Sequence, residues 1–246
     1  MSAAKTILVV GGTSGIGRAV AHRFAADGYA VILAGRRQAD LKREADDIAI
    51  RTGADVSIRV LDIADLSGLH AFVADLAPLP DVAVVAAGVL PDPTAGVTDP
   101  DVADRSVTVN LTGPTLLLAA LGQRFAARGS GSLVGISSVA GDRGRARNIV
   151  YGAAKAGFTA ALSGLRQQLS GSGVHVLTVK PGFVRTRMTD GLDLPPRLTA
   201  SPERVARDIR RAVARRRSVI YTPAAWRAVM TVIRLLPEGV FRRTSL

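Results

Sequence analysis

The stretch Thr6-Ile7-Leu8-Val9-Val10-Gly11-Gly12-Thr13-Ser14-Gly15-Ile16-Gly17-Arg18-Ala19-Val20-Ala21 decides the fold. Five apolar or β-branched residues run straight into glycines, and a helix-forming segment follows at once. Glycine permits a tight turn from strand to helix. It also lets the backbone approach an anion, while the helix start offers free N–H groups and the positive end of its dipole. At the head of a βαβ unit this order is the one that cradles a pyrophosphate. Gly11, Thr13, Ser14, Gly15, Ile16 and Gly17 are therefore the expected contacts of a dinucleotide cofactor.

Outward from this turn, short apolar runs alternate with helical patterns. Strands are expected at 6–10, 30–34, 56–60, 81–86, 132–137, 174–180 and 218–221. Helices are expected at 15–27, 38–52, 65–76, 101–128, 150–170 and 202–215. The run Val82-Ala83-Val84-Val85-Ala86 is apolar throughout, as in a strand covered on both faces. The alternation implies one α/β domain, a doubly wound parallel sheet of about seven strands, over residues 1–222. Residues 183–200, with Pro195-Pro196, follow a strand's carboxyl end and are expected to form a substrate lid. Residues 223–246 are expected to be a basic amphipathic tail.

Of the 246 residues 48% are apolar, which excludes a disordered chain, and there is no cysteine for a disulfide, a thiol nucleophile or a thiolate metal site. His22, His70 and His175 are too scattered for a metal cluster, and none is expected. The net charge of +12 is uneven: residues 1–140 carry 12 basic and 14 acidic side chains, residues 141–246 carry 20 and 6. That half suits an anionic ligand or membrane surface, or is a solvated arginine-rich face. It has few aromatics to stack on bases, so no nucleic-acid partner is expected. Neither a signal peptide nor a 20-residue apolar run is visible, which gives a cytoplasmic expectation.

Two further groups carry chemistry. After the second strand, Ala34-Gly35 leads to Arg36 and Arg37 where an acid would select the ribose hydroxyls of NAD. Arginine there suits the 2′-phosphate of NADP, so NADP(H) is preferred and NAD(H) is the alternative. Tyr151 and Lys155 stand four residues apart on one helix face. A nearby ammonium, together with an oxidised nicotinamide ring, is expected to lower the phenol's proton affinity. Ser138 ends the strand Leu133-Val134-Gly135-Ile136-Ser137-Ser138, and its hydroxyl suits a substrate carbonyl. Asn110 sits inside a helix, where its propensity is poor, which marks it for a role or a kink.

Taken together these residues resemble the short-chain dehydrogenase/reductase family over most of the chain, with a Rossmann-type fold. The resemblance implies hydride transfer between NAD(P)H and a carbonyl/alcohol pair. By it Tyr151 is the general acid/base, Lys155 binds the nicotinamide ribose, Ser138 polarises the carbonyl and Asn110 holds a relay water. Asp62 and Ile63 follow the third strand and would contact adenine. Ala87 and Gly88 would line the cofactor, joined by Pro181, Gly182, Val184 and Thr186, the last at its carboxamide. Two departures, Val10 for a usual Thr and Val85-Ala86 for a usual Asn-Asn, remove supporting hydrogen bonds and no catalytic group. The family's habit is a homodimer or tetramer, which the small face Ala154-Gly157-Ala161 would permit.

Arg143, Arg145 and Arg147 follow Ser138, and Arg187 follows Pro181-Gly182. These four are the expected substrate-binding residues, since guanidinium forks suit phosphate. In the tail, Trp226, Val229, Met230, Ile233 and Leu236 share one helix face with arginines on another, which suits an anionic membrane interface or packing on the chain's own core. The stretches 140–148 and 184–188 and the tail resemble the branch that performs the reductase step of decaprenylphosphoryl-β-D-ribose 2-epimerisation. That implies a polyprenyl-phosphoryl 2-keto-pentose substrate in cell-wall arabinan synthesis, a partner flavin oxidase and a peripheral position at the inner membrane face. The alternative is a soluble reductase of small ketones or acyl-carrier-linked 3-oxoacyl groups.

Overall fold

The computed structural model describes residues 4–191 and 193–244; residues 1–3, Leu192 of the expected lid and the last two residues of the tail lie outside it. The chain runs β1 (Thr6–Val10), α1 (Gly15–Ala26), β2 (Ala30–Gly35), α2 (Gln38–Thr52), β3 (Val56–Val60), α3 (Leu69–Ala74) and β4 (Val82–Val85). Then come α4 (Ala95–Thr98), α5 (Pro100–Val107), a π-helical segment Thr108–Thr112, α6 (Gly113–Arg128), β5 (Gly131–Ile136) and α7 (Ile149–Gln168). The last part is β6 (Val174–Pro181), β7 (Phe183–Val184), β8 (Thr199–Ala200), α8 (Pro202–Ala214), β9 (Val219–Thr222), α9 (Ala225–Leu235) and α10 (Glu238–Phe241).

Seven parallel strands form one sheet in the order β3-β2-β1-β4-β5-β6-β9. The expected seven-stranded doubly wound architecture is present. The order reverses between β1 and β4, and the crevice at their carboxyl ends is where such sheets bind ligands. One apolar layer lies between the sheet and α1, α2 and α8, another between the sheet and α3, α6 and α7. β1 is buried along its whole length because helices cover both faces.

Two expected helices differ from the sequence reading. The helix expected at 65–76 begins only at Leu69, because Asp65 Oδ1 accepts from Ser67 Oγ at 2.7 Å and from the Gly68 amide at 3.3 Å. That local turn competes with the helix. The helix expected at 101–128 is broken by the π segment. Pro114 has no N–H to return to the Asn110 carbonyl, and Asn110 Nδ2 donates to the Ser106 carbonyl at 2.9 Å, so the regular ladder cannot pass.

The tail forms α9 and α10, and the apolar face of α9 is turned inward. Trp226, Met230 and Ile233 are buried with Val139, Phe183, Leu198 and Tyr221. Against the membrane reading of this face, it is covered by the chain itself. A β-carbon on Gly182 would lie 1.8 Å from Trp226 Nε1, so only glycine admits the indole there. The small-residue face on α7 is also used internally: Ala154 is buried, and a β-carbon on Gly157 would meet Leu111 at 3.0 Å.

Candidate active site

The glycine turn is built as its sequence requires. Gly11 has φ +81°, and a β-carbon there would lie 2.6 Å from the Ala87 amide nitrogen. Ser14 caps α1, its hydroxyl accepting from the Gly17 amide at 3.0 Å. Thr13 lies in the turn and Ile16 packs on the core. Thr186 lies across the mouth against Gly15, 2.8 Å from the position a β-carbon would take. Val184 is held below it by the short pairing Phe183↔Thr199 and Val184↔Ala200, which closes the base of the expected lid. Pro181 ends β6 and is buried, and Gly182 leads out under Trp226.

At the end of β2, Arg36 is exposed. Arg37, an expected phosphate contact, bonds Asp40 at the surface, and nearby Arg18 bonds Glu44. Arg36 stands without an acidic partner among the described residues. Asp62 Oδ1 accepts from the Ala64 amide at 3.0 Å, and Ile63 is buried with its carbonyl under Gly113.

The catalytic candidates converge. Lys155 is 4% exposed and donates from Nζ to the Ile136 carbonyl at 3.1 Å. Its Nζ lies 5.8 Å from the centroid of the Tyr151 ring. A β-carbon on Gly88 would lie 3.0 Å from Asn110 Oδ1 and 3.7 Å from Lys155 Nζ, which sets Gly88, Asn110 and Lys155 side by side. Ser137 ties the end of β5 to α7, donating to the Lys155 carbonyl at 3.0 Å. Next to it Ser138 Oγ caps the 3₁₀ turn Val139–Gly141, accepting from Ala140 at 3.1 Å.

Burial pushes the Tyr151 phenol above its ordinary value, and the neighbouring Ser138 hydroxyl acts the other way. Burial lowers Lys155 to about 8. In the protein without cofactor, desolvation dominates over the ammonium, because the apolar surround disfavours both charged forms. The phenol stays protonated at neutral pH, the form that donates a proton.

Asn110 is fully buried and its amide is fully engaged. Nδ2 donates to the Val89 carbonyl at 2.8 Å and to Ser106, and Oδ1 accepts from the Val89 amide at 3.3 Å. Its side chain pins the segment after β4. The sequence signal for this was Pro114, four residues on.

The arginines divide. Arg143 donates from Nη1 to the Ile233, Arg234 and Leu236 carbonyls, at 3.0, 3.2 and 2.6 Å, and from Nη2 to Glu238 at 2.7 Å. Its guanidinium also stacks 4.2 Å from the Phe241 ring centroid. It caps α9 at the C-terminus, where cations and donors fit the free carbonyls. Arg145 lies half-buried, with Nη2 3.2 Å from Met230 Sδ, and burial lowers its proton affinity. In the structure both, expected as substrate contacts, reach the tail, Arg143 through its carbonyls and Arg145 through Met230. Arg147 and Arg187 are exposed, Arg147 beside Tyr151 in a cleft with Pro91, Asp92 and Val97, Arg187 in the open cleft of the lid with Arg185 and Thr186. Trp226, read from sequence as facing a membrane edge or the chain's own core, packs on the core and supports the lid.

A family model described as short chain dehydrogenase matches residues 5–195. Over 244 residues the chain is 38% identical to an uncharacterized oxidoreductase of Mycobacterium tuberculosis, covering 98% of this chain and 97% of that protein. A solved short-chain dehydrogenase from Sphingobium yanoikuyae in complex with NADPH is 27% identical, with TM-score 0.82 and 98% and 96% of the two chains covered. A 3-oxoacyl-[acyl-carrier protein] reductase from Brucella melitensis is 25% identical, with TM-score 0.75 and 85% and 83% covered.

Proposed function

The chain belongs to the short chain dehydrogenase family and is an oxidoreductase, and from that premise we propose that it reduces a ketone with NADP(H) in preference to NAD(H). The observation that carries this reading is the meeting of half-buried Tyr151 and Ser138 with the buried Lys155 at the carboxyl end of the sheet, near the glycine turn. The crevice fits a dinucleotide: Gly11, where a β-carbon would strike the Ala87 backbone, lets the turn close against the end of β4, and α1 starts directly after that turn. Gly11, Thr13, Ser14, Gly15, Ile16 and Gly17 would hold the pyrophosphate and Asp62 with Ile63 the adenine. Arg36 would meet the 2′-phosphate; Ala87, Gly88, Pro181, Gly182, Val184 and Thr186 would line the nicotinamide side.

When bound, the reduced nicotinamide supplies hydride to the carbonyl carbon. Ser138 holds the carbonyl oxygen by its hydroxyl, and Tyr151 delivers the proton that oxygen needs as it becomes an alcohol. Lys155 would bind the ribose, and its ammonium would offset the negative charge left on Tyr151 once the proton has gone. Asn110 keeps Gly88 and Val89 against Lys155, and the relatives crystallised with NADPH support the cofactor choice.

For the substrate, we favour a ketone carrying an anionic group, of which a polyprenyl-phosphoryl 2-keto-pentose made by a flavin oxidase is the specific form. Arg147 and Arg187 remain exposed at the two sides of the site. Val232 and Leu235, 62% and 77% exposed beside Arg227 and Arg234, would then rest on an anionic bilayer. No helix among the described residues is long and apolar enough to cross one. The second reading, a 3-oxoacyl group on an acyl carrier, is favoured by likeness to the Brucella melitensis reductase. The test is cofactor oxidation with NADH and NADPH against a prenyl-phosphoryl keto-sugar, an acyl-carrier 3-oxoester and simple ketones. Oxidation of NADPH by the keto-sugar alone supports the first reading; no oxidation with any member removes both.

A further inference from the structure

A buried polar cluster stands outside the catalytic group. Asp142 Oδ1 pairs with Lys180 Nζ, and their side chains are 2% and 9% exposed. Asp142 Oδ2 accepts from the Tyr221 hydroxyl at 2.8 Å. Lys180 and Tyr221 are register partners on β6 and β9, so both side chains leave the same face of the sheet toward one carboxylate. Burial, with Asp142 beside it, pushes the Tyr221 hydroxyl up to about 12, which keeps it a donor.

The position of this cluster gives it meaning. Asp142 ends the 3₁₀ turn that Ser138 begins, its amide returning to the Val139 carbonyl at 3.1 Å. A β-carbon on the intervening Gly141 would lie 2.6 Å from the Lys155 carbonyl carbon, so the turn rests directly on the Lys155 backbone. Lys180 immediately precedes Pro181 and Gly182. The next residue, Arg143, is fixed the other way, onto the end of α9. One carboxylate thus joins the turn that carries Ser138, the strand end that leads to the cofactor side, and the last strand.

Stability is a poor reason for such a cluster. A buried ion pair stabilises no more than a well-packed apolar pair of the same size, whereas it enforces a single geometry. We propose that Asp142, through Lys180 and Tyr221, is a positioning residue that sets the Ser138 hydroxyl against the substrate carbonyl; this rests on the reductase reading.

The test compares wild type, Asp142→Asn/Lys180→Met and Tyr221→Phe. The double variant removes both charges together and leaves no lone buried ion. Expected are a melting temperature close to wild type, kcat lowered about tenfold or more, and KM for NADPH within about twofold, since displacement of a positioned group acts on the chemical step. The isotope effect on kcat with 4-deuterated NADPH should rise. Tyr221→Phe, which removes one hydroxyl, should lower kcat severalfold with the same unchanged cofactor KM, and serves if the double variant fails to fold. A readout independent of turnover is amide exchange at Ala140, Gly141 and Asp142, expected to quicken about tenfold in the double variant. Wild-type kcat together with wild-type exchange in a folded double variant overturns the proposal. Quickened exchange in a protein whose wild type reduces no ketone removes the reductase reading and leaves the anchor standing.

Discussion

The indole Nε1 of Trp226 donates to the carbonyl oxygen of Leu198 at 2.8 Å, which ties α9 to the far end of the lid. Phe183, at the near end, meets the same indole edge-on with centroids 5.3 Å apart. Both feet of the lid therefore stand on one buried side chain. Trp226→Ala should lower stability by about 3–5 kcal/mol, as loss of a buried large aromatic does. It should also raise KM for the ketone, while Trp226→Phe keeps most of the packing and loses the hydrogen bond. Thermal melts with steady-state kinetics check this; an alanine variant with wild-type KM would detach the lid from the tail.

Tyr151→Phe should lower kcat by about 10²–10⁴-fold, the range of a positioned proton donor. Cofactor affinity should be nearly unchanged, because the ring and its packing stay. Fluorescence titration with NADPH beside turnover measures the split. Retained turnover ends the assignment of Tyr151 as the acid.

Lys155 makes stability depend on pH. Its ammonium is depressed to about 8 in the fold and holds its proton up to 10.5 in the unfolded chain. Between those values the unfolded state binds more protons, so stability rises as pH climbs from about 8 to 10.5 and is lowest below 8. The full change from this group is about 3 kcal/mol. Lys155→Met should abolish that rise and raise the melting temperature at neutral pH by roughly 5–10 °C, with turnover lost. Melts of both proteins at pH 7 and pH 10 decide it, and parallel shifts would contradict the depressed lysine.

Arg36→Ala should weaken NADPH by about tenfold or more and NADH little, as removal of one charge-assisted phosphate contact predicts. Arg37→Ala should do less, since Asp40 already holds that guanidinium. Equal losses for the two cofactors would refute a phosphate role for Arg36.

Val232→Glu/Leu235→Glu should reduce flotation with anionic vesicles and leave the fold intact, because both side chains are exposed. Trp226 and Met230 point inward and are not available to lipid. Flotation that is absent in wild type, or unchanged in the variant, would end the bilayer reading.

The amino-acid sequence by itself determined the βαβ order and the glycine turn, and it pointed to Asn110, Ser138, Tyr151 and Lys155. Those features rest on local chemistry: the spacing of apolar residues, the freedom of Gly11, and Tyr151 and Lys155 one helical turn apart. The broken helix at Asn110 was equally local, written in Pro114, and was legible had that missing N–H been followed back four residues. Only tertiary structure decided which arginines face solvent and what Trp226 covers. Arg143 and Arg147 look alike in sequence, yet one meets three carbonyls some 90 residues away in the chain and the other meets water. The direction of the Tyr151 shift belongs with them, because desolvation is set by everything that packs around a group and not by its neighbour one turn along.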